Sequence, residues 1–526
     1  MPRDLELTLS LDDAASEERL RAAVARRLRI DAGSIHAVGI VRRAVDARGA
    51  GARMQLRVRV FCGDERLPHA ERLGPVADRP RVRGRREPVV VVGAGPCGLF
   101  AALRLAEHGI ASVVLDRGKN VQSRRRDIAA LNKRGIVDAD SNYCFGEGGA
   151  GTYSDGKLYT RADKRGPVAE VLRVLLAHGA PAEIAVDARP HIGSNRLPKI
   201  VASLRATLEA AGSAVRFEAR VRDLEIDRGR VRGVRLWSGE EIAATAVILA
   251  AGHSARDVFE LADRAGLWLE AKPFAVGVRV EHPQPLIDAI QYGRDAGHPL
   301  LPAASYRLAT TVDHRGVYSF CMCPGGWIVP ATTEPDAVVV NGMSLSRRDS
   351  PFANSGIVVA VEREDLAALG HAGAFAGVEL QRALERRAAA LGGGAQVAPA
   401  QRLTDFIAGR SSPTLPRSSY RPGIRSAPLH EELPGFLAER LRAALRRFGK
   451  TMRGYDTSEA VAVGVESRSS SPVRIVRDPE TLESPALPGL YPAGEGAGYA
   501  GGIVSAALDG LRVAERIAAR ITASSD

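Results

Sequence analysis

Three glycines in the segment Gly93-Ala-Gly-Pro-Cys-Gly98 have a spacing that lets the backbone approach a diphosphate group. They follow the apolar run Val89–Val92 and precede a helix-like stretch that extends to about Glu107. In such a turn the first glycine allows a tight bend, the second admits the pyrophosphate, and the third lets helix and strand pack closely. The amide donors at the helix N-terminus would then face the diphosphate.

An acidic residue ends the next predicted strand, 23 positions after the first of these glycines. Residues 111–115 (ASVVL) lead to Asp116, whose carboxylate would accept hydrogen bonds from the hydroxyls of an adenosine ribose. The same glycine spacing recurs at 146–151 and 496–501, but neither of those copies follows a clean strand. Strand, turn, helix and acid together predict a dinucleotide-binding βαβ unit at 89–116.

A glycine turn near the C-terminus favours FAD over NAD as the dinucleotide. Residues 489–496 (GLYPAGEG) are a short strand that enters a turn, and residues 502–522 form an amphipathic helix. Glu495 would bond a ribityl hydroxyl, and the helix N-terminus at Gly501–Ile503 would face the flavin pyrimidine. The buried strand predicted at 246–251, which ends at Gly252, supports this arrangement.

The segment from Asn142 to Arg161 combines several glycines with many polar side chains. Glycine allows the backbone to lie close against a flat ligand, so we expect 148–152 to contact the pyrophosphate or the isoalloxazine. Lys157 and Arg161 would place positive charge on the substrate side, where it favours an anionic reduced flavin and an acidic substrate group. A surface loop held by turn residues is the alternative.

Other residue types that carry chemistry are isolated in the sequence. His191 and His253 are candidates for proton transfer, although a lone histidine is more often structural. Cys321-Met-Cys323 resembles half of a metal site, but no second Cys or His pair lies nearby. We therefore predict packing or loop cysteines and no metal site.

The elements that must position these residues divide the chain into four segments. Residues 1–80 have the pattern of a small α/β domain, with a basic, proline-containing stretch at 63–86 as a linker. Residues 88–265 and 455–526 are predicted to form one Rossmann-like domain. Residues 266–454 mix strand-like and helical patterns and are predicted to form an inserted α+β substrate or cap domain. The expected fold class is therefore α/β with two additional domains.

Composition excludes several classes of protein. The chain has 526 residues, of which 45% are hydrophobic and 25% charged, as in ordinary globular proteins. No apolar run approaches the roughly 20 residues of a membrane helix. The first residues carry no apolar signal core, and the five cysteines are scattered, so we expect a reducing, cytoplasmic setting and no membrane partner.

The formal net charge of +12 raises the question of nucleic-acid binding. Of the 73 basic residues 66 are arginines, and they are spread along the whole chain, with a dense group at 124–126 and a dense tract at 79–86. No aromatic residues interleave with that tract, as single-strand binders require. We expect a small-molecule substrate rather than a nucleic acid.

Beyond these patterns, the chain resembles the glutathione-reductase-like flavoproteins and is similar to a family of largely uncharacterised bacterial FAD-dependent dehydrogenases. The resemblance rests on the segments 142–161, 190–196, 466–473 and 494–503 and covers about residue 88 to the end. Cys97 replaces a usual small residue, and Glu495 replaces a usual Asp. No CxxxxC follows the first helix, so the cysteines of glutathione reductase's dithiol exchange are missing.

Motifs and resemblance together imply non-covalent FAD, with transient NAD(P)H as an additional cofactor, and an oxidoreductase acting on a small molecule. The implied catalytic residues are Lys157, Arg161 and His191. The implied FAD contacts are Gly93, Gly95, Pro96, Gly98, Asp116, Arg117, Gly148, Gly149, Gly151, Thr152, Val221, Gly252, Gly494, Glu495, Gly501, Gly502 and Ile503. An RNA-binding flavoprotein and a non-catalytic flavin-binding protein remain the alternatives.

Overall fold

The computed structural model describes residues 2–49, 51–63, 82, 87–159 and 166–523. The basic tract at 79–86, except for Val82, and Arg161 lie outside the described residues.

The N-terminal module is a three-stranded antiparallel sheet with two helices on one face. Its strand order is β1-β3-β2, and Leu7, Leu9 and Val58 contribute to its own small core. The hydroxyl of Ser16 accepts a hydrogen bond from the amide of Arg19 and so caps the helix Glu17–Leu28. The elements are β1 (Arg3–Ser10), α1 (Leu11–Ala15), α2 (Glu17–Leu28), β2 (Ile35–Asp46) and β3 (Arg53–Cys62).

A five-stranded parallel sheet forms the centre of the second domain. Its first strand, Val89–Val92, is buried on both faces, because helices pack against one face and the antiparallel strands of residues 221–243 pack against the other. The elements before the insertion are β4 (Val89–Val92), α3 (Pro96–Glu107), β5 (Ser112–Leu115), α4 (Val121–Arg134), α5 (Val168–Ala177), α6 (Leu197–Ala210), β6 (Ala214–Arg216), β7 (Val221–Asp227), β8 (Arg230–Leu236), β9 (Glu241–Ala243), β10 (Ala246–Leu249) and α7 (Arg256–Arg264). Strands β7–β9 form a separate antiparallel sheet.

The inserted domain has a seven-stranded mixed sheet in the order β13-β14-β17-β12-β20-β18-β19. Its elements are β11 (Leu269–Ala271), β12 (Phe274–Pro283), α8 (Gln284–Tyr292), β13 (Ala309–Val312), β14 (Arg315–Cys323), β15 (Gly326–Pro330), β16 (Val340–Ser344), β17 (Phe352–Val361), α9 (Arg363–Ala368), α10 (Ala376–Gly392), β18 (Ala398–Arg402), α11 (Leu403–Ala408), β19 (Ile424–Ser426), α12 (Leu429–Glu432), α13 (Gly435–Thr451) and β20 (Val461–Glu466).

The chain returns to the parallel sheet later than the sequence boundary at 455 suggests. Strand β20 pairs with β12 and β18, so it belongs to the inserted domain. The return is made by β21 (Val473–Ile475), β22 (Leu490–Pro492) and α14 (Ile503–Ala523). Strand β21 pairs antiparallel with β11, which joins the exit of the insertion to its entry.

Strand β22 completes the parallel sheet in the order β22-β10-β4-β5-β6, and α14 packs against α3. The predicted fold class is thereby confirmed: a Rossmann-like domain, an inserted α+β domain and a small N-terminal α/β module. Among the described residues, no helix combines the length and the apolar character that crossing a membrane requires.

Candidate functional site

One cavity of about 2560 Å³ lies where the ends of strands β4, β5 and β10 face the inserted domain. Ligands of open parallel sheets bind at the carboxyl ends of the strands, so the position is the expected one. The residues predicted from sequence that line it are Gly93, Gly95, Pro96, Asp116, Arg117, Gly149, Gly151, Lys157, His191, Val221, Gly252, Glu495, Gly501, Gly502 and Ile503.

Four predicted contact residues lie behind the wall of this cavity and support it by packing. A Cβ at Gly98 would lie 1.9 Å from the carbonyl oxygen of Gly93, and one at Gly148 would lie 1.9 Å from the hydroxyl of Thr152. That hydroxyl donates to the carbonyl of Glu147 at 3.0 Å. A Cβ at Gly494 would meet the Cβ of Cys97 at 2.9 Å.

The turn between β4 and α3 brings backbone to the cavity surface. Gly93 has a φ of +112°, which only glycine adopts readily, and Gly95 is the N-cap residue of α3. A Cβ on Gly95 would lie 3.9 Å from the Cα of Gly149 in the 142–159 loop. Two glycine backbones therefore face each other beside the helix N-terminus, with no side chain between them.

The carboxylate of Asp116 stabilises the turn by accepting hydrogen bonds from backbone amides. One oxygen accepts the amide of Ala94 at 2.9 Å, and the other accepts the amides of Gly118 and Gly146 at 2.8 and 3.0 Å. A carboxylate has about four acceptor positions, so capacity for a ribose hydroxyl remains beside these three bonds.

Arg117 lies next to Asp116 on the cavity wall. Its guanidinium donates to both oxygens of Asp257, at 2.8 and 2.6 Å, and stacks on the ring of Phe145 with 4.5 Å to the centroid. The arginine is therefore held flat against the wall rather than extended into the cavity.

Arg124, a buried arginine that was not predicted from the sequence as a site residue, shapes the 142–159 loop. Arg124 on α4 has no exposed surface, and its guanidinium donates five hydrogen bonds to backbone carbonyls of the loop. The acceptors are Asn142, Tyr143, Gly146, Glu147 and Gly149, at 2.8 to 3.1 Å. All five N–H donors of the side chain are thus used to hold one loop.

Glu495 and the N-terminus of α14 form another part of the cavity wall. A Cβ at Gly252, Gly501 or Gly502 would meet nothing within 4 Å, so these glycines border open space. Burial raises the pKa of Glu495 to about 7, although the amide of Gly502 donates to its carboxylate. Burial lowers the pKa of the neighbouring His253 to about 4, so this imidazole is neutral at pH 7.

Lys157 reaches the wall formed by strand β14. Its ammonium lies 3.8 Å from Oδ2 of Asp155, 3.7 Å from Sγ of Cys321 and 3.9 Å from Sγ of Cys323. Burial opposes its charge, but Cys321 and then Cys323 and Asp155 keep the pKa of Lys157 above its ordinary value. The lysine is therefore a fixed positive charge.

Asp155 is the buried anion of this group. Arg348 donates to both of its oxygens, at 2.6 and 3.1 Å, and the hydroxyl of Ser344 donates to one of them. Burial alone would raise its pKa, but Lys157 and Arg348 lower the pKa of Asp155 to about 2.

The ring of His191 lies beside this group, with Nε2 at 3.2 Å from the carbonyl oxygen of Ser346. Burial and the charge of Arg348 lower the pKa of His191, so the imidazole is neutral at pH 7. Because Arg161 lies outside the described residues, the structure does not place it relative to Lys157.

The described residues fit an extended dinucleotide. The N-terminus of α3 at the 93–98 turn borders the cavity and offers its positive dipole end to a diphosphate, and glycines 252, 501 and 502 leave the space of a flat ligand free of side chains. Asp116 and Glu495 supply carboxylates on the cavity lining.

Comparison with known proteins agrees with this fit. Residues 86–134 match a FAD binding domain, residues 273–469 match the C-terminal domain-like region of FAD-dependent proteins, and residues 1–61 match a domain of unknown function. An uncharacterized protein from Clostridium beijerinckii is 39% identical over 526 residues, which is 97% of each chain. The chain belongs to this family of FAD-dependent proteins. FAD as cofactor is thereby confirmed.

Solved flavoprotein structures are more distant. A geranylgeranyl bacteriochlorophyll reductase-like protein from Thermoplasma acidophilum is 14% identical, with a TM-score of 0.34, over 83% of this chain and 79% of that one. A triple mutant of the flavin-dependent brominase Bmp2 is 11% identical, with a TM-score of 0.38, over 84% and 82%. Similarity at this level does not bear on the reaction.

Proposed function

We propose that this FAD-dependent protein is an oxidoreductase of the glutathione-reductase-like superfamily, dehydrogenase-like in reaction, that acts on a small molecule with an anionic group. The observation that carries the proposal is the single cavity, which extends from the 93–98 turn to the basic wall at Lys157 and Arg348. A cofactor site and a substrate-sized space with fixed charge are therefore continuous.

The charges along the cavity support an anionic substrate. Basic residues outnumber acidic ones on its lining, and those outside the dinucleotide turn include Arg42, Arg43, Arg48, Arg189, Arg307, Lys450 and Arg453. A recessed site lined with one sign of charge raises the local concentration of ligands of the opposite sign. The phosphates of NAD(P)H would be attracted by the same residues, so a transient nicotinamide donor also fits this opening.

Bound FAD supplies a two-electron centre, and the chain's own residues decide what reaches it. Lys157 holds positive charge next to the substrate space and favours negative charge that develops there. His191 is neutral and donates from Nε2 to the carbonyl of Ser346, so its Nδ1 carries no proton and can accept one.

The test is the absorption spectrum of the purified protein, followed by anaerobic titration with NADH and with NADPH. We expect a flavin spectrum, acid release of FAD rather than FMN, and bleaching by at least one nicotinamide or by an anionic substrate. Release of FMN would contradict the cofactor geometry. A flavin that no donor reduces would indicate a non-catalytic flavin-binding protein.

A further inference from the structure

Two cysteines separated by one residue lie on strand β14 at the wall of the cavity. Cys321 lines the cavity, whereas Cys323 lies behind it with no exposed surface. The thiol of Cys323 donates to the carbonyl oxygen of Cys321 at 3.2 Å. Neither is in a disulfide, and both are within 4 Å of Lys157.

The backbone is bent at this pair. In a regular strand, residues i and i+2 lie about 6.7 Å apart, at the upper limit for a disulfide. Here the pairing of β14 with β17 shifts register between Phe320 and Cys323, and Cys321 has a φ of +46°. A bulge of this kind redirects a side chain and occurs often beside active sites. At this bulge both sulfurs lie within 4 Å of the Lys157 ammonium.

The buried ion pair of Arg279 and Glu466 stabilises the bulge. The guanidinium of Arg279 donates to Glu466 at 2.6 Å, to Oδ1 of Asn354 at 2.7 Å and to the carbonyl of Cys321 at 3.3 Å. Arg279 and Glu466 are at most 1% exposed. The conformation of the Cys321 backbone is therefore fixed by groups that do not depend on the thiols.

The charges around the pair favour a thiolate at the exposed cysteine. The hydrogen bond from Cys323 and the charges of Lys157 and Arg279 lower the pKa of Cys321 well below its ordinary value, although burial opposes them. The pKa of Cys323 is raised, because Cys321 shares its hydrogen bond and burial disfavours a second anion. One reactive sulfur next to one resolving sulfur is the usual arrangement of a redox cysteine pair.

We propose that Cys321 and Cys323 form a redox-active dithiol that exchanges two electrons with the bound flavin, with Lys157 as the positioning residue for the Cys321 thiolate. In the forward direction the two thiols lose two electrons and two protons and one S–S bond forms. Bound FAD would be the two-electron acceptor for those electrons and protons, and the reverse direction would restore the dithiol. This inference rests on the proposed oxidoreductase function.

The first experiment detects the disulfide directly in the full-length holoprotein. Cleavage after Arg315 and Arg347 releases one peptide, residues 316–347, that carries both cysteines and no others. After mild oxidation, alkylation and digestion, we expect this peptide to lack two hydrogens and to carry no alkyl group; after reduction it should carry two. A Cys62→Ser control should give the same result, because that cysteine lies in the N-terminal module.

The second experiment counts electrons. Anaerobic titration with dithionite should require about four electrons per flavin in the wild type and about two in Cys321→Ser or Cys323→Ser, since each redox couple takes two. If a serine variant does not fold, the peptide result on the wild-type protein still decides. Free thiols after oxidation together with two-electron uptake would overturn the proposal.

The third experiment tests Lys157 separately. The pH profile of Cys321 alkylation reports its thiol pKa, and Lys157→Met should slow alkylation at pH 7 roughly tenfold, with recovery in Lys157→Arg. An unchanged pH profile of alkylation would show that Lys157 does not stabilise the Cys321 thiolate. A protein that forms the disulfide but contains no flavin would contradict the proposed function, whereas a reducible flavin with inert cysteines would contradict only this inference.

Discussion

Gly95 and Cys97 are two residues apart in the same turn but have different roles. The Gly95 backbone is at the cavity surface, opposite Gly149, whereas the Cys97 thiol is buried between α3 and the Gly494 turn. A branched side chain at 95 would occupy the space of the diphosphate. We expect Gly95→Val to abolish FAD binding and Cys97→Ala to keep it, as measured by flavin absorbance per protein after gel filtration.

Two results distinguish a ligand role for this turn from a structural role. Thermal unfolding of both apoproteins should be similar, since neither change breaks a hydrogen bond. Stoichiometric flavin in Gly95→Val would show that the turn only packs the domain.

Glu495 should make folding stability depend on pH near neutrality. Its pKa in the folded protein is about 7, raised from an ordinary 4.5 by burial, so the folded state disfavours its ionised form. The unfavourable contribution is absent below about pH 4.5, grows as the pH rises towards 7 and is complete above it, reaching on the order of 3 kcal/mol. Glu495→Gln removes the charge and keeps the shape.

We therefore expect Glu495→Gln to match the wild type in denaturant unfolding at pH 4.5 and to exceed it at pH 8. The comparison uses the apoprotein, so that flavin affinity does not enter. Equal stability differences at both pH values would mean that this carboxylate ionises normally.

At the scale of elements, helix α4 controls the shape of the 142–159 loop through Arg124. Lysine at this position has three donors instead of five and no planar fork, so at least two loop carbonyls would lose their partner. Each buried group left unsatisfied costs about 1–3 kcal/mol. We expect Arg124→Lys to destabilise the protein by about 2–4 kcal/mol and to weaken FAD binding, as measured by denaturant unfolding and flavin titration.

Arg126 on the same helix provides the matched control. It is exposed, so Arg126→Lys should change stability by less than about 0.5 kcal/mol and leave the flavin in place. Equal effects of the two substitutions would show that the buried network does not hold the loop.

Elements with a local signal were predictable from the sequence, and elements defined by distant partners were not. Val89–Val92, the 93–98 turn and α3 follow one another, so hydrophobic pattern and glycine spacing were sufficient. Arg124 looked like one of three adjacent surface arginines, because its five acceptors lie 18 to 25 residues away. Strand β20 was assigned to the wrong domain, because its partners β12 and β18 are far away in sequence.

In the candidate site, too, local motifs were predictable from the sequence and contacts between distant segments were not. Glycines 93, 95, 149, 501 and 502 were found from motifs, because each motif is a local turn. The grouping of Lys157 with Cys321 and Cys323 could not be found, since the two segments are 164 and 166 residues apart and only the β14 bulge brings them together.

At the scale of the whole molecule, the cavity is built by all three domains. The N-terminal module lines the cavity with residues 42–48. It contacts the rest of the protein through an isolated β-bridge between Arg43 and the 186–188 segment. The amide of Arg43 donates to Val186 at 2.8 Å, and its side chain pairs with Asp187 at 2.8 Å. Tyr292, Leu300 and Leu301 pack against the core of the module.

This contact predicts that the module limits access to the flavin. Reversing one charge, by Arg43→Glu or Asp187→Arg, replaces attraction by repulsion. Because both side chains are about one-third exposed, the effect should be about 1 kcal/mol, or roughly a fivefold change in the ratio of docked to undocked module. We expect each single variant to increase quenching of flavin fluorescence by iodide. The double variant restores an ion pair with the charges exchanged, so its quenching should return towards the wild-type value.

Flavin content should stay constant in all of these variants, since none of the residues that fit FAD belongs to the module. Equal quenching in all four proteins would mean that the module does not control this entrance, and an increase that the double variant fails to reverse would point to local distortion instead of the ion pair.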